Sequence, residues 1–353
     1  MESRRTLRIA LIAPLWVNIP PGTYGGIELL IKLLADELVR LGHQVTLFAT
    51  GEARTAAKLH PVCPEPIIEM MSKGAASNYE YYANACVVDA LAAAQEFDIL
   101  HFHIGNQWIP MGALSEKPVL FTLHTQPGGD DEWLIDRYPK VPLAAISECQ
   151  ARSIASRHPR TIPVVYNGCD FSGFDPSFAP GKYLAFLGRM SYDKNPLGAI
   201  QIARKAGMPL VLAGIPQSAK EERYFEQEIK PLIDGENVRY IGAVDHARKS
   251  SLLREASALL FPVQWEEPFG LVMIESMACG TPVIGHALGS IPEVVDEGIT
   301  GFYSDSIETM HELVPRALAL DRARVRRHAL ERFSYQRMVE DYLRLYESLT
   351  DAR

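Results

Sequence analysis

Long apolar runs are missing from this 353-residue chain: no stretch approaches the roughly 18 consecutive apolar residues that would cross a bilayer, so no transmembrane segment is expected. Cysteine is scarce and unpatterned. The five residues Cys63, Cys86, Cys149, Cys169 and Cys279 are scattered and form no C-x-x-C, which argues against a zinc knuckle or a disulfide framework and fits a reducing cytoplasm. An excess of positive charge is lacking too; the formal net charge of -8 is the wrong sign for a protein that follows nucleic acid through its phosphates. Several chemical signatures are absent: there is no nucleophile elbow, no Walker lysine loop and no H-E-x-x-H. Low-complexity tracts are absent as well. Apolar residues at 47% and charged residues at 22% describe an ordinary globular chain.

What is present is a repeated alternation of short apolar segments and helical patterns. The start, "MESRRTLRIALIAPLW", has two arginines before an apolar run, but the run is short, stops at Pro14 and lacks a small-residue cleavage site. It reads as a first buried strand and not as a signal peptide. "GGIELLIKLLADELVRLG" follows with apolar residues at helical spacing and a closing glycine, then "QVTLFAT" as a second strand, which makes a βαβ unit. A helix over about 78 to 96 and the segments "DILHFH", "PVLFTLH", "PLAAIS" and "IPVVYN" continue the pattern. After the Gly-, Pro- and Asp-rich "NGCDFSGFDPSFAPG" the cycle restarts: "YLAFLGR", a helix over about 194 to 206, "PLVLAG", "VRYIG", "ALLFPV" and "PVIG". The chain exceeds the size at which one core keeps growing, so two doubly wound α/β domains are expected, each with a parallel sheet covered on both faces. The boundary is placed near 168 to 181, with domains over 1–168 and 169–334 and a lone amphipathic helix over 335–353. Such sheets bind ligands at the carboxyl ends of their strands, so a cleft between the domains is the expected site. Residues 52 to 80 match no pattern. The eight arginines between Arg316 and Arg344 alternate with Glu331, Glu340 and Asp341 and read as a solvated helix face.

The segment "WEEPFGLVMIESMACGTPVIG" carries the sharpest question, because a glutamate, Glu275, sits inside an apolar helix. The helix is expected to begin at Gly270 or Leu271 and to end at Gly280. Side chains lean toward the helix N-terminus, which would turn Glu275 toward the place where Glu267 sits, beside the N–H groups of Phe269, Gly270 and Leu271. Two carboxylates repel a bare phosphate, so hydroxyl pairs of a sugar or ribose suit them better. The competing reading folds Glu275 back onto its own helix terminus. Arg189 and Lys194 in "LGRMSYDKN" follow a strand and precede a helix, where they would either grip a diphosphate or form surface ion pairs. Gly25 and Gly26 in "TYGGIELL" allow close approach to a phosphate, yet the turn does not match G-x-G-x-x-G and the second strand lacks the acid, which disfavours NAD. His101 and His103 share one strand face as structural histidines, while His124 at a strand's carboxyl end is the better site candidate. Asp130 and Asp131 read as a solvated turn; no third ligand accompanies them and no metal is expected.

With these motifs in place, the chain resembles glycosyltransferase family 4, the retaining nucleotide-sugar transferases of the GT-B fold. The resemblance spans nearly the whole chain and rests on "EPFGLVMIE" with "SMACGTPVIG", "YNGCD", "GRMSYDKN", "TYGGIELL", "DILHFH" and "SECQAR". It implies that Glu267 binds the transferred hexose, Glu275 the ribose, and Phe269, Gly270 and Leu271 the sugar and phosphate through backbone N–H groups. It further implies that Arg189 and Lys194 hold the diphosphate, Gly26 approaches it, His124 contacts the sugar, and Val244 in "GAVDH" cradles the base. The last helix would pack back on the first domain. Glu266 adjoins Glu267, and only the spacing to Phe269 and Gly270 selects Glu267. The implied donor is a nucleoside diphosphate sugar such as a UDP-sugar, with no metal or other cofactor, and the acceptor hydroxyl is unidentified. Two rivals stand beside transfer: a non-hydrolysing sugar-nucleotide epimerase and a two-domain sugar-binding protein.

Overall fold

The computed structural model describes residues 5–22, 25–155 and 160–351. The chain divides into two compact units, one of Met1–Gly168 with Tyr335–Arg353 and one of Cys169–Ser334. In the first unit the apolar runs become a six-stranded parallel sheet of β1 (Arg8–Ile12), β2 (Gln44–Thr50), β3 (Lys58–Cys63), β4 (Ile99–Phe102), β5 (Val119–Leu123) and β6 (Leu143–Ala145). The strand order is β3-β2-β1-β4-β5-β6. β1, β4 and β5 are apolar along nearly their whole length because helices cover both faces. The second unit repeats the design with β7 (Tyr183–Leu187), β8 (Leu210–Ala213), β9 (Val238–Tyr240), β10 (Ala256–Phe261), β11 (Val283–His286) and β12 (Gly301–Ser304), in the order β12-β11-β10-β7-β8-β9. Both sheets reverse direction of build from an inner strand, which is the doubly wound arrangement expected from the alternation.

Helices of the first unit are α1 (Gly26–Arg40), α2 (Ile67–Ser72), α3 (Tyr79–Ala92), α4 (Ile109–Gly112), α5 (Gly129–Arg137) and α6 (Glu148–Ala155). The second unit has α7 (Pro196–Ala206), α8 (Ala219–Tyr224), α9 (His246–Glu255), α10 (Leu271–Ala278), α11 (Ile291–Val294), α12 (Val314–Leu318) and α13 (Arg322–Phe333). α1 buries Leu30, Ile31, Leu34, Ala35 and Leu38, a spacing of three and four that puts one stripe on the sheet, each large residue worth about 1.5–3 kcal/mol. The last helix, α14 (Tyr335–Asp351), buries Met338, Val339, Tyr342, Leu343 and Tyr346 within the first unit and packs beside α1.

Four local readings are corrected. "IPVVYN" forms no strand; it contributes only an isolated bridge from Val164 to Ala145, since Pro163 cannot donate to a ladder. Residues 52 to 80 hold β3 and α2, and β3 tolerates Pro61 because it is an edge strand. Asp130 and Asp131 lie in the first turn of α5 and not in a loop turn, and the Asp131 carboxylate accepts from Gly128 N at 3.0 Å in an exposed cap. The arginine-rich stretch is not uniformly solvated either. Arg322 is buried and donates to the carbonyls of Ser177, Arg254 and Ala256, and Arg326 donates to those of Phe171, Phe174 and Ala278. These guanidiniums satisfy carbonyls at the ends of elements, which alternation with acids in the sequence could not reveal.

Candidate active site

In the second unit the glutamate segment folds largely as its spacing requires. α10 opens at Leu271 after Gly270, whose φ of +77° places it in the left-handed region, and a Cβ there would also meet Met273 at 2.8 Å. Among the described residues the Gly270 and Leu271 N–H groups find no protein acceptor, so the start of α10 keeps open donors. The preceding loop is pinned: Ser290 N donates to Glu267 O at 2.9 Å and Ser290 Oγ to Phe269 O at 2.9 Å. Ser290 is a site-building residue that the sequence reading missed.

Glu267 is buried, whereas Glu266 beside it is exposed. Its carboxylate pairs with Lys194 Nζ and accepts from Trp265 Nε1 at 2.8 Å, both on Oε2. The ammonium also lies 5.0 Å from the Trp265 ring and 5.6 Å from the Phe261 ring. Lys194 is held there by its neighbours. Asn195, at a left-handed φ of 57°, caps α7 through Gly198 N at 2.9 Å and donates to Pro262 O at 3.0 Å, while Gln264 N donates to Asp193 O at 2.8 Å. Two loops are thus stitched together so that a cation and a carboxylate meet.

Arg189 goes elsewhere. Its Nη1 lies 3.2 Å from Glu221 Oε1 on α8, a partly buried pair, so the two cations of "GRMSYDKN" hold different carboxylates. Glu275 is buried in α10 and pairs with Lys249 Nζ from α9. Its charge is therefore compensated inside the chain, which neither the ribose reading nor the helix-terminus reading had foreseen. Lys249 was missed because "HARKSSLLRE" looks like a surface helix; Lys249 also lies 5.6 Å from the Phe174 ring. Val244 is buried in the turn between β9 and α9, just before Asp245, which caps α9 through Arg248 N at 2.8 Å.

In the first unit Gly25 and Gly26 begin α1. Gly25 has a φ of +141°, and a Cβ on it would meet Pro21 at 2.7 Å and Glu28 Oε2 at 2.9 Å, so its glycine is required by local backbone alone. Glu28 was not singled out in the sequence. It is a buried carboxyl whose proton affinity is pushed up to about 7 by burial. His124, at the end of β5, is bonded through Nε2 to His103 Nδ1 at 2.9 Å. His101 is satisfied on both nitrogens, by Tyr346 Oη at 2.6 Å and Thr122 Oγ1 at 2.7 Å, and Thr122 also meets Tyr342 Oη at 3.0 Å. Burial holds all three imidazoles neutral: it lowers His101 and His103 well below the usual value, with neighbouring imidazoles adding to the shift, and brings His124 to about 4. No cluster of three potential metal ligands occurs among the described residues.

The comparisons with known proteins match both units. Residues 24–172 match the family model described as Glycosyltransferase Family 4, and residues 175–335 match Glycosyl transferases group 1. The chain belongs to glycosyltransferase family 4. It is therefore a retaining glycosyltransferase that moves a sugar from a nucleotide sugar, and the epimerase and binding-protein readings fall away. It is 27% identical over 96% of its length, and over 82% of the relative's, to the D-inositol 3-phosphate glycosyltransferase of Mycobacterium tuberculosis H37Rv. Among solved structures it is similar to AviGT4, a glycosyltransferase of avilamycin A biosynthesis, with TM-score 0.71, 26% identity and coverage of 98% of this chain and 99% of that one. It shares the GT-B fold with Anabaena HepE in complex with UDP and glucose, at TM-score 0.72, 20% identity and coverage of 97% and 100%. Among the described residues no helix of this family 4 member is long and apolar enough to cross a membrane.

Proposed function

We propose that this family 4 enzyme takes a hexose from a UDP-sugar and passes it to an acceptor hydroxyl with the anomeric configuration retained, using no metal. The observation that carries the reading is the meeting of Lys194, Glu267 and Trp265 beside the open N–H groups of Gly270 and Leu271. A carboxylate with one oxygen engaged keeps the other, Oε1, for a sugar hydroxyl, and the helix start and ammonium suit phosphate oxygens. HepE, of the same fold, is described with UDP and glucose, and the mycobacterial relative acts on an inositol phosphate.

In this reading Glu267 binds the hexose, Phe269, Gly270 and Leu271 donate to sugar and phosphate, and Lys194 and Arg189 hold the diphosphate. Arg189 uses only Nη1 toward Glu221, so its remaining donors are available to a ligand. Glu275 receives the ribose hydroxyls on Oε2, its other oxygen being fixed by Lys249. Val244 borders the base, Gly25 and Gly26 approach the diphosphate, and His124 contacts the sugar. The bond from the anomeric carbon to the phosphate oxygen breaks as the acceptor oxygen forms its own bond on the same face. The leaving phosphate takes the acceptor proton, and the cations and helix start stabilise its charge. The reducing cytoplasm suggested by the unpatterned cysteines is the proposed setting.

A thermal-shift screen of UDP-, GDP-, ADP- and dTDP-sugars tests the donor, since a ligand of the folded state raises the midpoint. UDP-sugars are expected to give the largest rise. A larger rise with any other nucleotide would reassign the base, and no rise with any of them would remove the proposed site.

A further inference from the structure

His124 has one ring nitrogen left for a ligand, and what that nitrogen offers is set one residue deeper. Nδ1 of His124 makes no hydrogen bond among the described residues, while Nε2 lies 2.9 Å from His103 Nδ1. That contact holds a single hydrogen when both rings are neutral, so the tautomer of one ring dictates that of the other. His103 is buried, and among the described residues its Nε2 has no partner. Were the shared hydrogen carried by His124, His103 would bear its own on Nε2, a buried N–H with nothing to receive it. An orphaned buried donor is the rarer and costlier arrangement than a bare acceptor.

We propose that His103 is a positioning residue, donating from Nδ1 to His124 Nε2 and thereby fixing His124 as the Nδ1–H tautomer, which offers the sugar a hydrogen-bond donor and no base. The surroundings hold that arrangement. The His101 ring packs 4.0 Å from the His103 ring, centroid to centroid, and Tyr342 of α14 meets it edge-on at 6.3 Å. Behind the pair, His101 is itself held by Thr122 and Tyr346 and packs on Tyr342, so these groups behind His103 are neutral ones. A donor at His124 Nδ1 is compatible with the leaving phosphate, and not an imidazole, receiving the acceptor proton. The tautomer is a property of the unliganded chain; its effect on the sugar rests on the donor reading above.

The test is the ring-nitrogen spectrum of the full chain labelled with nitrogen-15 histidine, with His124 assigned through His124→Gln. The expected result is a protonated Nδ1 and a bare Nε2 on His124 in the wild type. A protonated Nε2 on His124 overturns the proposal whatever the activity, and this needs no folded variant of His103. His103→Phe should release the tautomer and lower kcat about tenfold, one hydrogen bond's worth, with donor KM moving less than about threefold. His103→Asn, whose amide N–H stands near the place of Nδ1, should restore both. Unchanged tautomer and kcat in His103→Phe would also overturn the positioning role. Failure of nucleotides to stabilise the chain would remove the donor reading while leaving the spectrum to decide the tautomer.

Discussion

Arg189 and Lys194 leave the same turn after β7, yet their ion pairs differ in kind, and their substitutions should separate accordingly. The Arg189 pair with Glu221 is partly exposed, so Arg189→Ala is expected to change stability by no more than about 1 kcal/mol. The same change should weaken UDP by roughly 1.5–3 kcal/mol, the range for a charge-assisted hydrogen bond. Lys194 faces a buried carboxylate, and Lys194→Ala should cost about 3–5 kcal/mol of stability because Glu267 is left buried without its counter-charge, keeping only the Trp265 N–H. Calorimetry for binding and urea denaturation for stability check both. Unchanged nucleotide affinity in Arg189→Ala would take Arg189 out of the site. At this scale the sequence showed which residues were unusual but not whom they meet. Glu275 stood out as a carboxylate in an apolar helix, whereas Lys249, 26 residues earlier, shows its meaning only when α9 packs on α10.

The first turn of α1 carries a second unusual carboxyl, and its effect belongs to the helix. Glu28 is pushed up from 4.5 to about 7 by burial in the folded state. A raised carboxyl stabilises the fold fully below the unfolded value and loses that contribution as pH rises through about 7. Glu28→Gln should therefore gain stability relative to wild type at pH 8 by on the order of 2–3 kcal/mol, with little difference at pH 4. Melting curves of both proteins across that range decide it; an equal difference at both pH values would show that Glu28 is ionised at no cost. α1 itself was legible because its apolar stripe is regular and its glycines bracket it. β3 and β12 were not: β3 contains a proline and pairs on one edge only, and β12 has just Phe302 and Tyr303 between a glycine and a serine, too little apolar sequence to stand out. The inward-facing tyrosines of α14 followed helical spacing, but their bonds to His101 and Thr122 span more than two hundred residues and leave no local trace.

For the whole molecule, the repeated alternation of short strands and helices was enough for the fold class, since two six-stranded parallel sheets are what such alternation builds. The chemistry proposed for it uses Arg189, Lys194 and the start of α10 to stabilise the departing diphosphate, so turnover should persist in excess EDTA. Loss in chelator with recovery on magnesium or manganese would contradict that assignment. The proposed site in the second unit turns on Glu275 receiving the ribose of a ribonucleoside diphosphate. Calorimetric titration of the wild-type chain with UDP and with dUDP tests it most directly, because the two differ by one hydroxyl. dUDP is expected to bind more weakly by roughly 1–3 kcal/mol, one carboxylate oxygen being left without its partner; equal affinities would leave Glu275 as the partner of Lys249 alone and take the ribose away from it.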